Sequence, residues 1–359
     1  MNILIITSAS NRSGGARQAL YLAQGLAERG HVVTFFIPQN SPLPELAPQF
    51  TGFVRLGKKN TWKASLEAAM PKDGTPCVVH AFHNAAVKKA AWWGLLWWKK
   101  AVVVAHRGVL FRPKNPLPYW SPGIARFVVN SEICASVLRG IGLSAKRLRV
   151  VPNAVPDERV TPKLPREEAR RSMGIGPDNF LFGCIANNNP VKGIEQLITA
   201  FAKYVAIKPK FAQARLAIIG INPSLWEPLC RTMSVLDKVM LIPPTEDVAS
   251  LLGGMDTFVL PSLSESMPNT LLEAVRMGLP CIGTKVGAVP DIIDTCGICV
   301  EAGDVASLGA AMVRMLHDSP LRIRFKAAAV EQAKNYSPAT RLQTLETIYT
   351  EALHQRGLA

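Results

Sequence analysis

The sequence predicts an α/β protein of two Rossmann-like domains, each a parallel sheet with helices on both faces, the two facing across a cleft. Three observations lead there. Short, continuously apolar runs alternate with helical segments along the 359 residues, the pattern of parallel strands buried on both faces. The alternation starts twice, at residue 2 and again at residue 180, with the proline-rich stretch Val151–Pro165 between. At ~150 residues per domain, the length also suggests two.

Asn2–Thr7, apolar and β-branched, reads as the first buried strand, and Ser8–Gly15 as the loop after it. Ala16–Arg29 reads as a helix, with Ala19, Leu22, Ala23 and Leu26 at helical spacing and Gly30 ending it. Val32–Ile37 follows as the second strand, then Cys77–His80, Val102–His106, Phe127–Asn130 and Leu148–Val151, with Ser131 a helix N-cap. The apolar stretch 85–105 is broken by four lysines, and no stretch reaches the ~20 apolar residues that span a bilayer. It reads as a helix from Asn84 to about Trp98 and a strand at Ala101–Ala105. Trp92, Trp93, Trp97 and Trp98, flanked by Lys88, Lys89, Lys99 and Lys100, fit either a membrane-interface element or a core or interdomain helix. The second series of strands is Phe180–Ala186, Leu216–Gly220, Val239–Ile242, Thr257–Leu260, Cys281–Gly283 and Ile298–Val300, and Tyr336–Leu353 is a final amphipathic helix.

Charge is unevenly placed. Residues 1–150 carry 20 Lys/Arg against 5 Asp/Glu, which accounts for the whole net charge of +15, whereas residues 151–359 carry 21 of each. Such asymmetry points to an anionic partner for the first half, or to a basic, soluble surface. Anionic lipid and phosphorylated glycan fit; nucleic acid is not expected, because the cations are dispersed and no helix-turn-helix or RRM-like signature is present. Seven scattered cysteines, and an N-terminal apolar run of only Ile3–Ile6, lead to the expectation of a cytoplasmic protein, at the inner face of the membrane if it binds lipid. Cys296 and Cys299 have CxxC spacing without a second pair, which reads as a tight turn into a strand.

The most informative segment is PSLSESMPNTLLEAVRMGLPCIGTKVGAVPDII, residues 261–293. The strand Thr257–Leu260 ends at Pro261, a Ser-rich turn carries Glu265, and a helix accepts Pro268 in its first turn and carries Glu273 one turn past Asn269. The start of that helix offers unpaired N–H groups and a positive dipole end, an anion site bracketed by two carboxylates. A ligand with a diphosphate in the middle and hydroxyls at both ends fits, which is the layout of a nucleotide sugar. Elsewhere, Ser13-Gly14-Gly15-Ala16 opens a helix after the first strand, and Ile185–Gly193 (IANNNPVKG) opens one after a strand of the second series.

The segment 261–293 resembles the E-x7-E motif of retaining glycosyltransferases of the GT-B fold, most closely family four (glycosyl transferases group 1). MPNTLLEA, the Gly278-Leu279-Pro280 turn, Gly287 and Pro290-Asp291 carry the likeness, as do the Gly14-Gly15 loop and the run LAQGLAERGHVV after it. The resemblance implies transfer of a sugar from a nucleotide-diphosphate donor with retention. Glu273 would then accept the ribose hydroxyls and Glu265 those of the sugar. Lys192, with the amides near Asn269, Thr270 and Leu271, would hold the diphosphate as it leaves. Gly14, Gly15 and His106 would line the donor's sugar end from the first domain, with Arg12, His83 and Arg107 on the acceptor side. Many members place Arg where this chain has Asn187, and others where it has Asn189, so one cation stands where two are usual. No Asp-x-Asp is present, so neither metal nor other cofactor is expected. The basic first domain would receive an anionic glycan or lipid-linked acceptor, such as a lipopolysaccharide core, through peripheral contact with an anionic membrane.

The family's last helix crosses back to the first domain, so the predicted domains are 1–155, 156–335 and the helix 336–359. A nucleotide-sugar epimerase on the same fold, or a degenerate non-catalytic binder, would share these motifs. A dehydrogenase would not, since the first loop lacks G-x-G-x-x-G.

Overall fold

The structure, a computed structural model, describes residues 1–358, the side chain of Lys210 excepted. Ala359, the last residue of the expected C-terminal helix, lies outside them. The chain divides into two compact units: Met1–Ala154 together with the residues from Pro338 on, and Val155–Ser337.

The first unit holds a seven-stranded parallel sheet: β1 (Asn2–Thr7), β2 (Val32–Pro38), β3 (Phe53–Leu56), β4 (Cys77–Phe82), β5 (Val102–Arg107), β6 (Ile124–Val129) and β7 (Leu148–Val150). Their order across the sheet is β3-β2-β1-β4-β5-β6-β7. Helices α1 (Gly14–Glu28), α2 (Trp62–Ala69), α3 (Asn84–Leu96), α4 (Leu117–Trp120) and α5 (Glu132–Arg139) connect them. Because successive side chains of a strand point to opposite faces, β1 feeds two cores. Ile3 and Ile5 join Leu20, Leu22 and Leu26 of α1, whereas Leu4 and Ile6 join Trp62, Leu66, Val87 and Trp97. Each such fully buried side chain contributes about 1.5–3 kcal/mol.

The C-terminal helix (Pro338–Gln355) lies on the α1 face of this sheet and brings Leu345, Ile348, Tyr349, Ala352 and Leu353 into its core. Polar anchors fix it: the Tyr349 hydroxyl lies 2.6 Å from His80 Nδ1, Arg341 donates to Gln18 Oε1, and Arg29 pairs with Glu346 at 2.8 Å. It starts two residues later than the sequence suggested, because Ser337 is extended (φ −74°, ψ 145°).

Three elements of this unit escaped the sequence reading: β3, α2 and the four-residue helix α4. Strand β3 is a four-residue edge strand in which Val54 and Arg55 face solvent, and α2 buries only Trp62 and Leu66. Strand β4 runs two residues further than the sequence suggested and β5 one, so Arg107 as well as His106 lies within β5.

The second unit carries β8 (Phe180–Ile185), β9 (Ala214–Ile219), β10 (Val239–Ile242), β11 (Thr257–Leu260), β12 (Cys281–Thr284) and β13 (Gly297–Val300), all parallel, in the order β10-β9-β8-β11-β12-β13. Helices α6 (Arg166–Ser172), α7 (Ile194–Ala200), α8 (Pro223–Thr232), α9 (Val248–Gly253), α10 (Asn269–Arg276), α11 (Val289–Ile293), α12 (Val305–His317) and α13 (Ser319–Ala333) cover both faces. Again the two faces feed separate cores, one with Phe182, Phe201 and Met312, the other with Leu181, Phe258 and Leu271. Cys299 lies on β13, in line with a turn into a strand, and no cysteine is in a disulfide among the described residues. No described helix is long and apolar enough to cross a membrane.

Candidate functional site

In an open parallel sheet the carboxyl ends of the strands are where loops gather polar groups. In the second unit, β8 and β11 end side by side. After β8, Asn189 caps a single 3-10 turn, Pro190–Lys192, through its side-chain oxygen and the Val191 amide at 3.1 Å. Gly193 follows with φ +68°, and a Cβ there would overlap the carbonyl of Pro261, so only glycine lets this turn sit on the end of β11. The Leu263 amide then donates to the Val191 carbonyl at 2.7 Å.

This seating brings together side chains 73 positions apart. Lys192 Nζ lies 2.6 Å from Glu265 Oε1, which also accepts from Ser262 Oγ at 3.0 Å. From the other side, Gly287 (φ +54°) packs where a Cβ would overlap the carbonyls of Glu265 and Ser266, and the Ala288 amide donates to Ser266 at 2.8 Å. Thr284 Oγ1 ties down the Ser262 carbonyl at 2.5 Å. Backbone on two sides and the Thr284 hydroxyl thus hold the turn carrying Glu265.

Helix α10 begins at Asn269, with Pro268 as its N-cap rather than within its first turn, because Pro268 is extended (φ −74°, ψ 120°). Proline has no side-chain oxygen to cap the amides of the first turn, where Thr270 and Leu271 lie. One turn on, Glu273 is 3% exposed, and its Oε1 accepts from Arg159 Nε at 3.0 Å and stands 2.9 Å from a terminal nitrogen of the same guanidinium. Arg159 is the residue that sequence reasoning missed. It sits in a short turn, Asp157–Arg159, in the proline-rich stretch, and no local spacing ties it to a glutamate 114 positions away. Arg276 at the end of α10 binds the same stretch, at the Val155 carbonyl and, at 2.5 Å, Asp157.

The three asparagines before Lys192 shape the loop. Asn187 Oδ1 accepts from the Asn189 amide at 3.1 Å, and Asn188 Oδ1 from the Asn222 amide at 3.1 Å and Trp226 Nε1 at 3.0 Å. The side-chain oxygen of Asn187, an expected donor contact, is therefore engaged within the loop.

In the first unit, α1 opens at Gly14 and Gly15, with Ser13 Oγ accepting from the Ala16 amide at 3.4 Å. A Cβ on Gly15 would lie 2.9 Å from His83 Nε2. His83 itself has φ +66°, caps α3 and bonds through Nδ1 to Thr7 Oγ1 at 2.7 Å. His106, near the end of β5, stacks on Phe82 with ring centroids 4.4 Å apart. Burial, with smaller contributions from His80 and Arg341, holds its pKa well below the usual histidine value, so its imidazole is neutral at pH 7. Behind it, fully buried His80 is pushed down to about 3, first by burial and then by Arg341.

Arg107, expected on the acceptor side, is not offered to a ligand. It is buried, with its guanidinium bonded to Asn84 Oδ1 at 3.0 Å, the Tyr119 hydroxyl at 2.7 Å and the Phe111 carbonyl. Its planar fork closes the loop after β5. Arg12 is exposed and pairs with Glu45 at 2.5 Å.

The second unit therefore brings together Lys192 and Arg159, the two carboxylates they pair with and a helix start, groups suited to an anion flanked by hydroxyls. The first presents glycine amides and neutral imidazoles. No cluster of three or more His, Cys, Asp or Glu suited to a metal occurs among the described residues.

The chain matches two family models, Glycosyltransferase Family 4 over residues 12–159 and Glycosyl transferases group 1 over residues 179–318. It is 30% identical over 214 residues to the N-acetyl-alpha-D-glucosaminyl L-malate synthase of Bacillus anthracis, covering 58% of this chain and 55% of that protein, so it spans about half of that relative's length. It is 24% identical over 285 residues to the UDP-Gal:alpha-D-GlcNAc-diphosphoundecaprenol alpha-1,3-galactosyltransferase of Escherichia coli, covering 77% of this chain and 70% of that one. Among solved structures, Anabaena Alr3699/HepE in complex with UDP superposes with a TM-score of 0.83 at 15% identity, over 98% of this chain and 100% of that one. With both strand series, both loops and residues 261–293 in place, the chain belongs to the family-four, group 1 glycosyltransferases of the GT-B fold.

Proposed function

We propose that this protein transfers a sugar from a nucleotide-diphosphate donor, without metal and with retention at the anomeric carbon, to an anionic glycan or lipid-linked acceptor at the inner face of the membrane. The observation that carries the reading is the Lys192–Glu265 pair together with the start of α10, whose N-cap is Pro268, with Glu273 one turn further on. A partly exposed ion pair is worth only on the order of 1 kcal/mol. A diphosphate therefore displaces Glu265 from Lys192 at small cost, and the freed carboxylate then accepts from sugar hydroxyls. As the anomeric C–O bond breaks, the bonding electrons go to the diphosphate, where Lys192 and the first amides of α10 stabilise them, while an acceptor hydroxyl oxygen bonds to the anomeric carbon from the same face and gives its proton to the departing diphosphate. Glu273, fixed by Arg159, faces the ribose. On the family reading His106 and Gly15 serve the sugar end, His106 as a neutral hydrogen-bonding group.

Support for the donor comes from the UDP complex of the Anabaena protein, and for a lipid-linked acceptor from the name of the Escherichia coli relative. The missing Asp-x-Asp supports metal independence. The test is calorimetry with UDP-, GDP-, ADP- and CMP-sugars on the wild type and Glu273→Ala. Selective binding of one nucleotide, lost in the variant, is expected. Asn187 and Asn189 favour a second reading, a binder that has lost catalysis; binding without transfer to any lipid or glycan acceptor would establish it. Conversion of the donor without acceptor would instead mark an epimerase.

A further inference from the structure

The tryptophan-rich helix α3 has an outward side that the core does not use. Trp97 is buried and donates through Nε1 to Glu67 at 2.8 Å, and Trp93 packs partly against it. Trp92, Leu95 and Leu96, at helical spacing, and Trp98 just past the helix end are exposed. So are Leu117 and Trp120 of α4, and all six leave between 39% and 67% of their surface in solvent. The two helices form a rigid platform. A Cβ on Gly94 of α3 would overlap the Gly123 carbonyl just after α4, Ser121 Oγ donates to the Ala91 carbonyl at 2.7 Å, and Trp120 Nε1 to the Ile141 carbonyl at 2.8 Å.

Charge completes the pattern. From residue 74 to residue 131 the chain has eight Lys/Arg and no Asp or Glu. Lys88, Lys99, Lys100, Arg112 and Lys114 of that stretch are exposed. Six solvent-facing Trp and Leu side chains are more than scattered surface apolarity.

We propose that this α3–α4 face is a docking surface for an anionic lipid bilayer. The proposal rests on the reading of a membrane-bound acceptor above and gives that contact its residues. Tryptophan seats at the headgroup level, leucine enters the acyl boundary, and lysine stems lie along the apolar surface with their ammonium groups on lipid phosphates. A second copy of the chain is disfavoured, because pairing this face with itself would oppose like charges. A protein partner is disfavoured because lysine is depleted from protein interfaces.

The test is flotation of the full chain with vesicles of phosphatidylcholine alone and with 30% phosphatidylglycerol (a content chosen on the order of bacterial anionic lipid). Wild type should float with the anionic vesicles, release at high salt, and stay behind with the neutral ones. Trp92→Ser/Leu96→Ser and Lys99→Glu/Lys100→Glu should each lose at least tenfold in partitioning, with unchanged circular dichroism and unchanged nucleotide-sugar binding. Absence of wild-type flotation, equal flotation by both variants, or a wild-type dimer that Trp92→Ser/Leu96→Ser dissociates would each overturn it. Nucleotide-sugar binding in the same preparations separates failure of this surface from failure of the donor site.

Discussion

Removing Arg159 tests how the structure holds Glu273. The carboxylate is 3% exposed, and two nitrogens of one guanidinium sit 2.9 and 3.0 Å from its Oε1. Taking away one partner of a buried pair costs about 3–5 kcal/mol, because the remaining charge loses its compensation. The Arg159 side chain is 24% exposed, so water can recover part of this, and roughly 3 kcal/mol is expected for Arg159→Ala. The two units need not unfold together, so one melting midpoint would mix them. Hydrogen exchange of peptides covering α10 reads the second unit directly, and ~3 kcal/mol corresponds to about a hundredfold loss of protection. Glu273→Gln removes the charge that needs compensation, so in the double variant the losses should fall short of additive by about 1–3 kcal/mol. Exchange in Arg159→Ala within threefold of wild type, or strictly additive losses, would refute the claim that Arg159 secures this glutamate.

Other perturbations follow from the same geometry. Gly193→Ala forces a side chain into a left-handed backbone against the Pro261 carbonyl and should cost about 2 kcal/mol or more, read as a lower Tm with weaker nucleotide-sugar binding. Lys192→Ala should lower kcat by about 10²–10³ in single-turnover assays, since it removes charge stabilisation at the leaving group. His80 and His106 have folded-state pKa values below the ordinary 6.5, so the unfolded chain binds more protons and stability falls as pH drops from about 6.5 toward 3. His80 should contribute about 2 kcal/mol of loss between pH 7 and 5, with His106 acting in the same direction, and His80→Gln should flatten the dependence of Tm on pH in that window.

Elements that bury both faces were legible as continuous apolar runs. Thr257–Leu260, buried throughout, was placed to the residue, and so was Val239–Ile242, an edge strand whose four residues are all apolar. Phe53–Leu56 was not, since an edge strand with two exposed residues carries no such signature. At the site, Lys192 and Glu265 were readable because loops at the ends of neighbouring strands must meet. The destinations of two arginines were not readable. Arg107 turns inward because Asn84 and Tyr119 converge on it, and Arg159 reaches Glu273 only once the stretch before α6 has folded along α10. Such placements depend on tertiary neighbours that leave no periodic trace in the chain.

The C-terminal helix has a consequence for how the protein is made. Leu345, Ile348, Tyr349 and Leu353 fill one face of a sheet whose last strand ended at Val150. At ~5–20 residues per second the ribosome needs on the order of 10–40 s to travel from that strand to the helix. During that time Val102 and Val104 of β5 and Val128 of β6, beside α1, have no lid, while the second unit, continuous in sequence, can fold as it emerges. The first unit is thus begun first and completed last, and a nascent chain stalled before residue 338 is the species for a chaperone to hold.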